Sequence, residues 1–409
     1  MQTAIVAAAR ARRAVSAIFF VNGAVLASWV AHIPTVKSQH GIADGGLGLV
    51  LLSMAVGSVL TLPIAGWLIA RWGSRVMTTA AALAFSLALP LPVISPTVSL
   101  AVLTLAILGA CNALLDVSMN AQAVVIEEGY RRPILSSFHG LFSVGGVVGA
   151  SLASGAMAVG IRPVWHVLGV AAVAVAVVAG VLRNLPSSKE RGCPHAVLVR
   201  PPAALLGLGL LTLCGLLVEG ATADWSAVYL HDTLGAPTAM AATGFAAFSL
   251  AMAAGRFGGD ALARRLGPRL LLRTSAAVAA AGLAGALLLG RAPTAIVGFG
   301  LVGLGISNVI PVLFSAAGRI PGTPRGTALA AVATTGYGGY LVGPPLIGLA
   351  ADGTSLAVAL GIVSAVCALI AAGAVLLPDR PRSERLPASG KGAGTRPLAA
   401  RLPPSYHRP

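Results

Sequence analysis

A chain of 409 residues would ordinarily make two or three soluble domains, but 56% of these residues are hydrophobic and only 10% are charged. That balance excludes an ordinary soluble protein and points to lipid as the solvent. The net charge of +16, from 28 Lys and Arg against 12 Asp and Glu, raises nucleic acid as a partner, and the placement of the charges then decides the matter.

A bilayer core of roughly 30 Å needs about 20 apolar helical residues. Uncharged runs of that length, punctuated by Gly, Pro and Arg clusters, predict twelve spans at 14–35, 46–70, 76–96, 98–124, 137–158, 163–182, 203–230, 238–259, 270–290, 294–318, 326–350 and 354–377. The expected class is an all-α integral membrane protein. The first span carries Asn22 and Trp29 seven residues apart on one face, with His32 one turn further near the outer mouth. A Trp face stacks on a sugar ring or holds a cation, and it also serves as an ordinary interfacial anchor.

In the fourth span Asn112, Asp116 and Asn120 recur every four residues and so share one face. An ionised group inside a span costs about 2.5 to 3.5 kcal/mol on insertion scales, so Asp116 calls for a reason, whereas the two Asn also suit interhelical hydrogen-bond glue. In the seventh span Glu219 and Asp224 are five residues apart, and about 140° separates them, so they do not share a face. Asp224 falls toward the outer end on the side of His231. In the tenth span Ser307, Asn308 and Pro311 interrupt the helix, freeing carbonyls for a ligand or for a kink. The eleventh holds Tyr337 and Tyr340 beside Gly339, Gly343 and Pro344, where small residues favour close helix contact.

With the N-terminus inside, 25 of the 28 Lys and Arg fall in cytoplasmic segments, and only Lys37, Arg162 and Arg291 fall outside. The basicity is therefore topology, and no basic stripe interleaved with aromatics suggests a nucleic-acid site. Both termini are expected in the cytoplasm. Residues 183–202 read as a cytoplasmic linker between blocks 1–182 and 203–377, and 378–409, rich in Arg, Pro, Ser and Gly, as a disordered cytoplasmic tail. Cys111, Cys214 and Cys367 lie in separate apolar spans and Cys193 in the linker, without ligand spacing. No nucleotide loop, metal cluster or nucleophile with a positioned His occurs, so neither an enzyme nor a cofactor or metal is expected.

The two blocks repeat. At an offset of 194 residues Arg71, Gly73 and Arg75 match Arg265, Gly267 and Arg269, and Gly109 matches Gly303. Asn22, Gly23, Ala24 and Trp29 are echoed by Glu219, Gly220, Ala221 and Trp225 at 196 to 197, and Gly145, Gly146 and Gly149 by Gly338, Gly339 and Gly343 at 193 to 194. Four matches in one order argue for duplication, and six spans per block make the repeats parallel.

On these motifs the chain resembles the major facilitator superfamily over all twelve spans. The loop signature reads Gly66, Leu68, Arg71, Gly73, Arg75, with Ala70 where the superfamily places an acid. The second copy runs from Gly259 and Asp260 through Arg265, Gly267 and Arg269. Phe19, Phe20, Asn22 and Gly23, the run Asp116 to Asn120, and Ser136 to His139 resemble fucose-permease-like members of bacterial inner membranes. The resemblance implies two parallel-repeat six-helix bundles and a secondary active transporter that moves a small polar solute, sugar-like or polyol-like, by alternating access with protons, acting as a monomer. An exporter of drugs or secondary metabolites on the same fold, and a membrane receptor or scaffold that transports nothing, are the alternatives. The fourth-span acid of fucose-permease-like symporters falls on Asp116, whereas their first-span acid falls near Val30, which cannot titrate. Asp116 and Glu219 are the expected proton sites. Asn22, Trp29, His32, Asn112, Asn120, Asp224, Asn308 and Tyr337 are the expected substrate contacts. Arg71, Gly73, Arg75, Asp260, Arg265, Gly267 and Arg269 are the expected gating loops.

Overall fold

The computed structural model describes residues 2–130, 134–186, 203–321, 323 and 325–377, and the side chains of these except 2–7, 136, 203–204, 260, 325–327 and 330. The expected linker beyond residue 186 and the expected tail lie outside the described residues. Every regular element among them is a helix: α1 (Gln2–Ala31), α2 (Ile33–His40), α3 (Asp44–Trp72), α4 (Ser74–Ala88), α5 (Pro90–Ile94), α6 (Val98–Tyr130), α7 (Leu135–Ala158) and α8 (Pro163–Val181), then α9 (Ala203–Val228), α10 (Thr238–Leu266), α11 (Pro268–Leu289), α12 (Ala292–Ile306), α13 (Val309–Ala317), α14 (Arg325–Gly353) and α15 (Leu356–Gly373). Long apolar runs extend the helices, with Pro63 tolerated inside α3, and Pro in the first turn of α5, α8 and α11 starts a helix without removing a needed donor.

Eleven spans among the described residues are long and apolar enough to cross a bilayer. The predicted span not among them is the eleventh, 326–350, which coincides with α14, whose 29 residues carry Pro344 and Pro345 inside the helix and a Gly- and Tyr-containing stretch in place of an unbroken apolar run. The first span is longer than expected. It continues through a break at His32 into α2, which ends where Gly41 takes the left-handed conformation at φ 61°.

Helices α1, α3, α4, α6, α7 and α8 pack on one another, as do α9, α10, α11, α12, α14 and α15, and the two bundles meet where α3 lies on α14 and α7 on α10. The duplication is visible in these contacts. A Cβ on Gly109 would overlap the Met54 carbonyl, and one on Gly303 would overlap the Phe248 carbonyl, 194 residues on in both partners. Likewise Gly145 abuts the carbonyl of Phe20 and Gly339 that of Leu213, and Gly149 abuts Ala24 where Gly343 abuts Leu217. Lipid offers no hydrophobic drive between helices, so backbone-to-backbone approach at small residues sets the register. That register corrects one match. It pairs α1 with α9 at an offset of 193, one helical turn away from the 196 to 197 suggested by the echoed Trp29 and Trp225, so Glu219 is not the counterpart of Asn22.

The expected break in the tenth span falls between α12 and α13 at Ser307 and Asn308. Pro311 has no N–H to offer the carbonyl of Ser307. The freed polar side chain is put to use, since Asn308 Nδ2 donates to the carbonyl of Gly255 at 3.1 Å and to Ser307 Oγ at 3.0 Å, tying the kink to α10.

Candidate functional site

Helix α6 presents Asn112, Asp116 and Asn120 at one-turn spacing. Asn120 Nδ2 donates to the Asp116 carbonyl at 2.8 Å and to its Oδ1 at 3.2 Å, which orients the carboxylate without neutralising it. Asn112 Oδ1 is buried and accepts no hydrogen bond among the described residues. From the other bundle, α9 brings Glu219 close enough for the two carboxylates to feel each other's charge. Tyr337 and Tyr340 of α14, with ring centroids 6.4 Å apart, lie in the field of both.

Arg256 of α10 completes the group. Its Nη2 lies 3.9 Å from Glu219 Oε2, and its Nη1 donates to Ser143 Oγ of α7 at 3.2 Å, so one guanidinium touches a carboxylate in its own bundle and a hydroxyl in the other. His139, one turn before Ser143, lies in the field of Arg256, and its ring meets Phe19 of α1 edge-on at 5.3 Å. The cluster thus gathers acceptors, donors and amphoteric hydroxyls from both bundles around two titratable acids. The charge count places Arg256 among the cytoplasmic cations, whereas it lies inside the span Thr238–Gly259. The available signal was a cation inside the boundaries of its own apolar run.

The other expected contacts are spread out. Asn22 is 2% exposed and points its Nδ2 at Met119 Sδ, 3.6 Å away, so it borders the α6 stripe from α1. His32 is not brought to the Asp116 cluster. Trp29 and His32 are both buried, and His32 Nε2 lies 2.9 Å from Nδ1 of His166 on α8. Helical spacing puts both on the Asn22 face, but the His166 partner on α8 decides where His32 points. Asp224 makes no hydrogen bond or ion pair among the described residues, and His231, its expected neighbour, instead holds Asp232 at 2.6 Å. Asn308 is occupied by its bonds to Gly255 and Ser307.

The pattern that defines the Major Facilitator Superfamily matches residues 15–337. The chain belongs to that superfamily. It is 37% identical over 358 residues to an uncharacterized MFS-type transporter of Yersinia pestis, covering 87% of this chain and 93% of the other. Membrane protein MosC of Rhizobium meliloti is 35% identical over 378 residues, covering 90% of each. The solved nucleoside transporter NupG superposes with a TM-score of 0.69 at 12% identity, over 89% of this chain and 98% of that one. The Escherichia coli fucose:proton symporter FucP gives 0.60 at 16%, over 89% and 97%. A bacterial homolog of the lysosomal transporter Spinster, inward-facing and unoccupied, gives 0.64 at 15%, over 91% and 95%. The chain is therefore a multi-pass membrane transporter and not an enzyme, and the solved structures support the fold.

In this major facilitator the two loop signatures are structural copies. Gly73 has φ 85° and ψ 150°, Gly267 has φ 83° and ψ 159°, and each donates its N–H back to the carbonyl four residues earlier. Left-handed φ at both positions is why Gly sits there. Arg71 and Arg265 are exposed, Arg75 is half-buried, and Arg269 Nη2 donates to the Val375 carbonyl at 3.3 Å. The side chain of Asp260 lies outside the described ones.

Four hydrogen bonds or ion pairs cross between the bundles among the described residues. One is the mid-depth contact of Arg256 with Ser143. The other three cluster at the opposite end from Arg71: Lys37 with Asp232, Asp352 accepting from the Gly45 N–H at 2.9 Å, and Ser154 donating to the Ala239 carbonyl at 2.6 Å. The transporter is tied shut at its Lys37 end. Sequence patterns did not reveal these residues because each partner lies in a different bundle.

Proposed function

We propose that this major facilitator is a proton-coupled transporter of a small polar solute, rocking bundle 1–182 against bundle 203–377 around the Asp116 cluster. The observation that carries the reading is the meeting of Asp116 and Glu219, from opposite bundles, with Arg256, Tyr337 and Tyr340 inside the apolar body. Charges inside lipid are costly and mark ion pathways or substrate sites. A site shared by two bundles changes shape whenever the bundles rock, which is the requirement for alternating access. Asp116 and Glu219 serve as the proton sites, while Asn22, Asn112, Asn120, Arg256 and Tyr337 offer the donors and acceptors that a hydroxyl-rich solute needs. The polar lining and scarcity of aromatics, 20 residues in the whole chain, favour such a solute over a large apolar drug.

A thermal-shift screen of the purified protein against sugars, polyols and apolar natural products tests the substrate class. Stabilisation by a hydroxyl-rich solute is expected, and stabilisation by apolar compounds alone overturns the reading. On the charge distribution, the Arg71 end and both termini face the cytoplasm of a bacterial inner membrane. A reporter fused after residue 380 should be active only in the cytoplasm, and activity confined to the periplasm would reverse the topology.

A further inference from the structure

We propose that Lys37, Asp44, Asp232 and His231 form a reversible gate at the Lys37 end, in which each side of the closed bridge keeps a partner of its own when the bundles part. Lys37 Nζ lies 2.5 Å from Asp44 Oδ1 and 2.5 Å from Asp232 Oδ2. Asp44 opens α3 in the same bundle as Lys37, whereas Asp232 follows α9 in the other. His231 Nδ1 lies 2.6 Å from the second oxygen of Asp232. Lys37 and Asp44 are 14% and 22% exposed, and Asp232 and His231 are 31% and 34%.

The arrangement matters because a bridge is expensive to break when it strands a half-buried charge. Here separation of the bundles breaks one bridge and strands nothing: Lys37 retains Asp44, and Asp232 retains His231. A fastening meant to stay closed has no use for the inner partners, whereas a gate that opens in every cycle needs them. The local chain supports this geometry. The break at His32 and the left-handed Gly41 turn α2 across the mouth, so that Lys37 reaches α9's end. A separate tie, Asp352 on the Gly45 N–H at the start of α3, lies next to Asp44 and holds the same rim.

The inference rests on the rocking of the two bundles proposed above, and it makes a prediction of opposite signs. Asp232→Asn weakens the His231 pair in both states but the bridge between bundles in the closed state alone, so the open population at this end should rise about two- to five-fold, the range expected for a partly exposed pair. Asp44→Asn removes one of two carboxylates from Lys37 in the closed state but its sole remaining partner in the open one, so the open state loses more and its population should fall by a similar factor. Lys37→Gln leaves two carboxylates facing each other across the closed mouth and should give the largest opening.

Spin labels at Val159 and Thr354, which are exposed on opposite bundles at this end, measure the opening by electron-electron distance distributions, and labels at Ala70 and Ala261 measure the other end. The protein is full-length, with Cys111, Cys193, Cys214 and Cys367 replaced. Opposite shifts for Asp232→Asn and Asp44→Asn support the gate. Shifts of one sign for both, or a shift at the Ala70 end in any variant with none at the Val159 end, overturn it. If no variant alters either distance, the gate is overturned together with the rocking on which it rests, so the two failures are distinguishable.

Discussion

In proteoliposomes given an inward proton gradient, Asp116→Asn is expected to abolish accumulation of the solute identified by thermal shift while leaving its exchange across the membrane largely intact. The geometry explains the split. Asn120 donates to Asp116 Oδ1 at 3.2 Å, and an amide at position 116 offers an oxygen to the same donor, so the local shape survives. What disappears is the proton that the carboxylate takes up and releases. A gradient does work only through a group that binds the ion differently in the two states, and the approach of Glu219 makes the environment of Asp116 depend on the relative position of the bundles. Accumulation by Asp116→Asn with an unaltered pH profile would reduce Asp116 to a structural acid and leave Glu219 or Asp224 to carry the proton.

Loss of the guanidinium in Arg256→Ala is expected to destabilise the protein by about 2 kcal/mol, below the usual cost of orphaning a buried charge because the pair is 3.9 Å apart with 16% and 21% exposure. The penalty comes from Glu219, which loses its counter-ion, and from Ser143, which loses its donor. The double variant Arg256→Gln with Glu219→Gln strands no charge and should recover most of the loss. Thermal unfolding in detergent checks both. A double variant as unstable as the two single variants added together would mean that Arg256 and Glu219 act independently.

Much of the fold was legible because the bilayer imposes a strong rule on sequence: every backbone polar group must be satisfied within a helix, so spans must be long and apolar. The Asp116 stripe was legible for a similar reason, since a 3.6-residue period places Asn112, Asp116 and Asn120 together whatever surrounds them. His32 obeys the same periodicity from Asn22 and yet leaves the site, because the break in the first span at His32 and the His166 ring on α8 redirect it. Arg256 was not legible because charge counting assigns a cation to the nearest water, while the side chain turns inward to Glu219 and Ser143.

The sequence by itself determined the helical spans, the duplication, the weighting of positive charge toward one end and the acidic residue on α6, all properties that depend on local composition and period. Only the tertiary structure decided that Asp116 lies in the field of Glu219, that Arg256 bridges toward Ser143, that the α1 and α9 registers differ by one turn from their apparent match, and that Lys37 closes one end. Each of those depends on which helices touch, and at what height. In lipid these are chosen by backbone approach at small residues such as Gly109, Gly145 and Gly339, whose partners lie tens or hundreds of residues away in the chain.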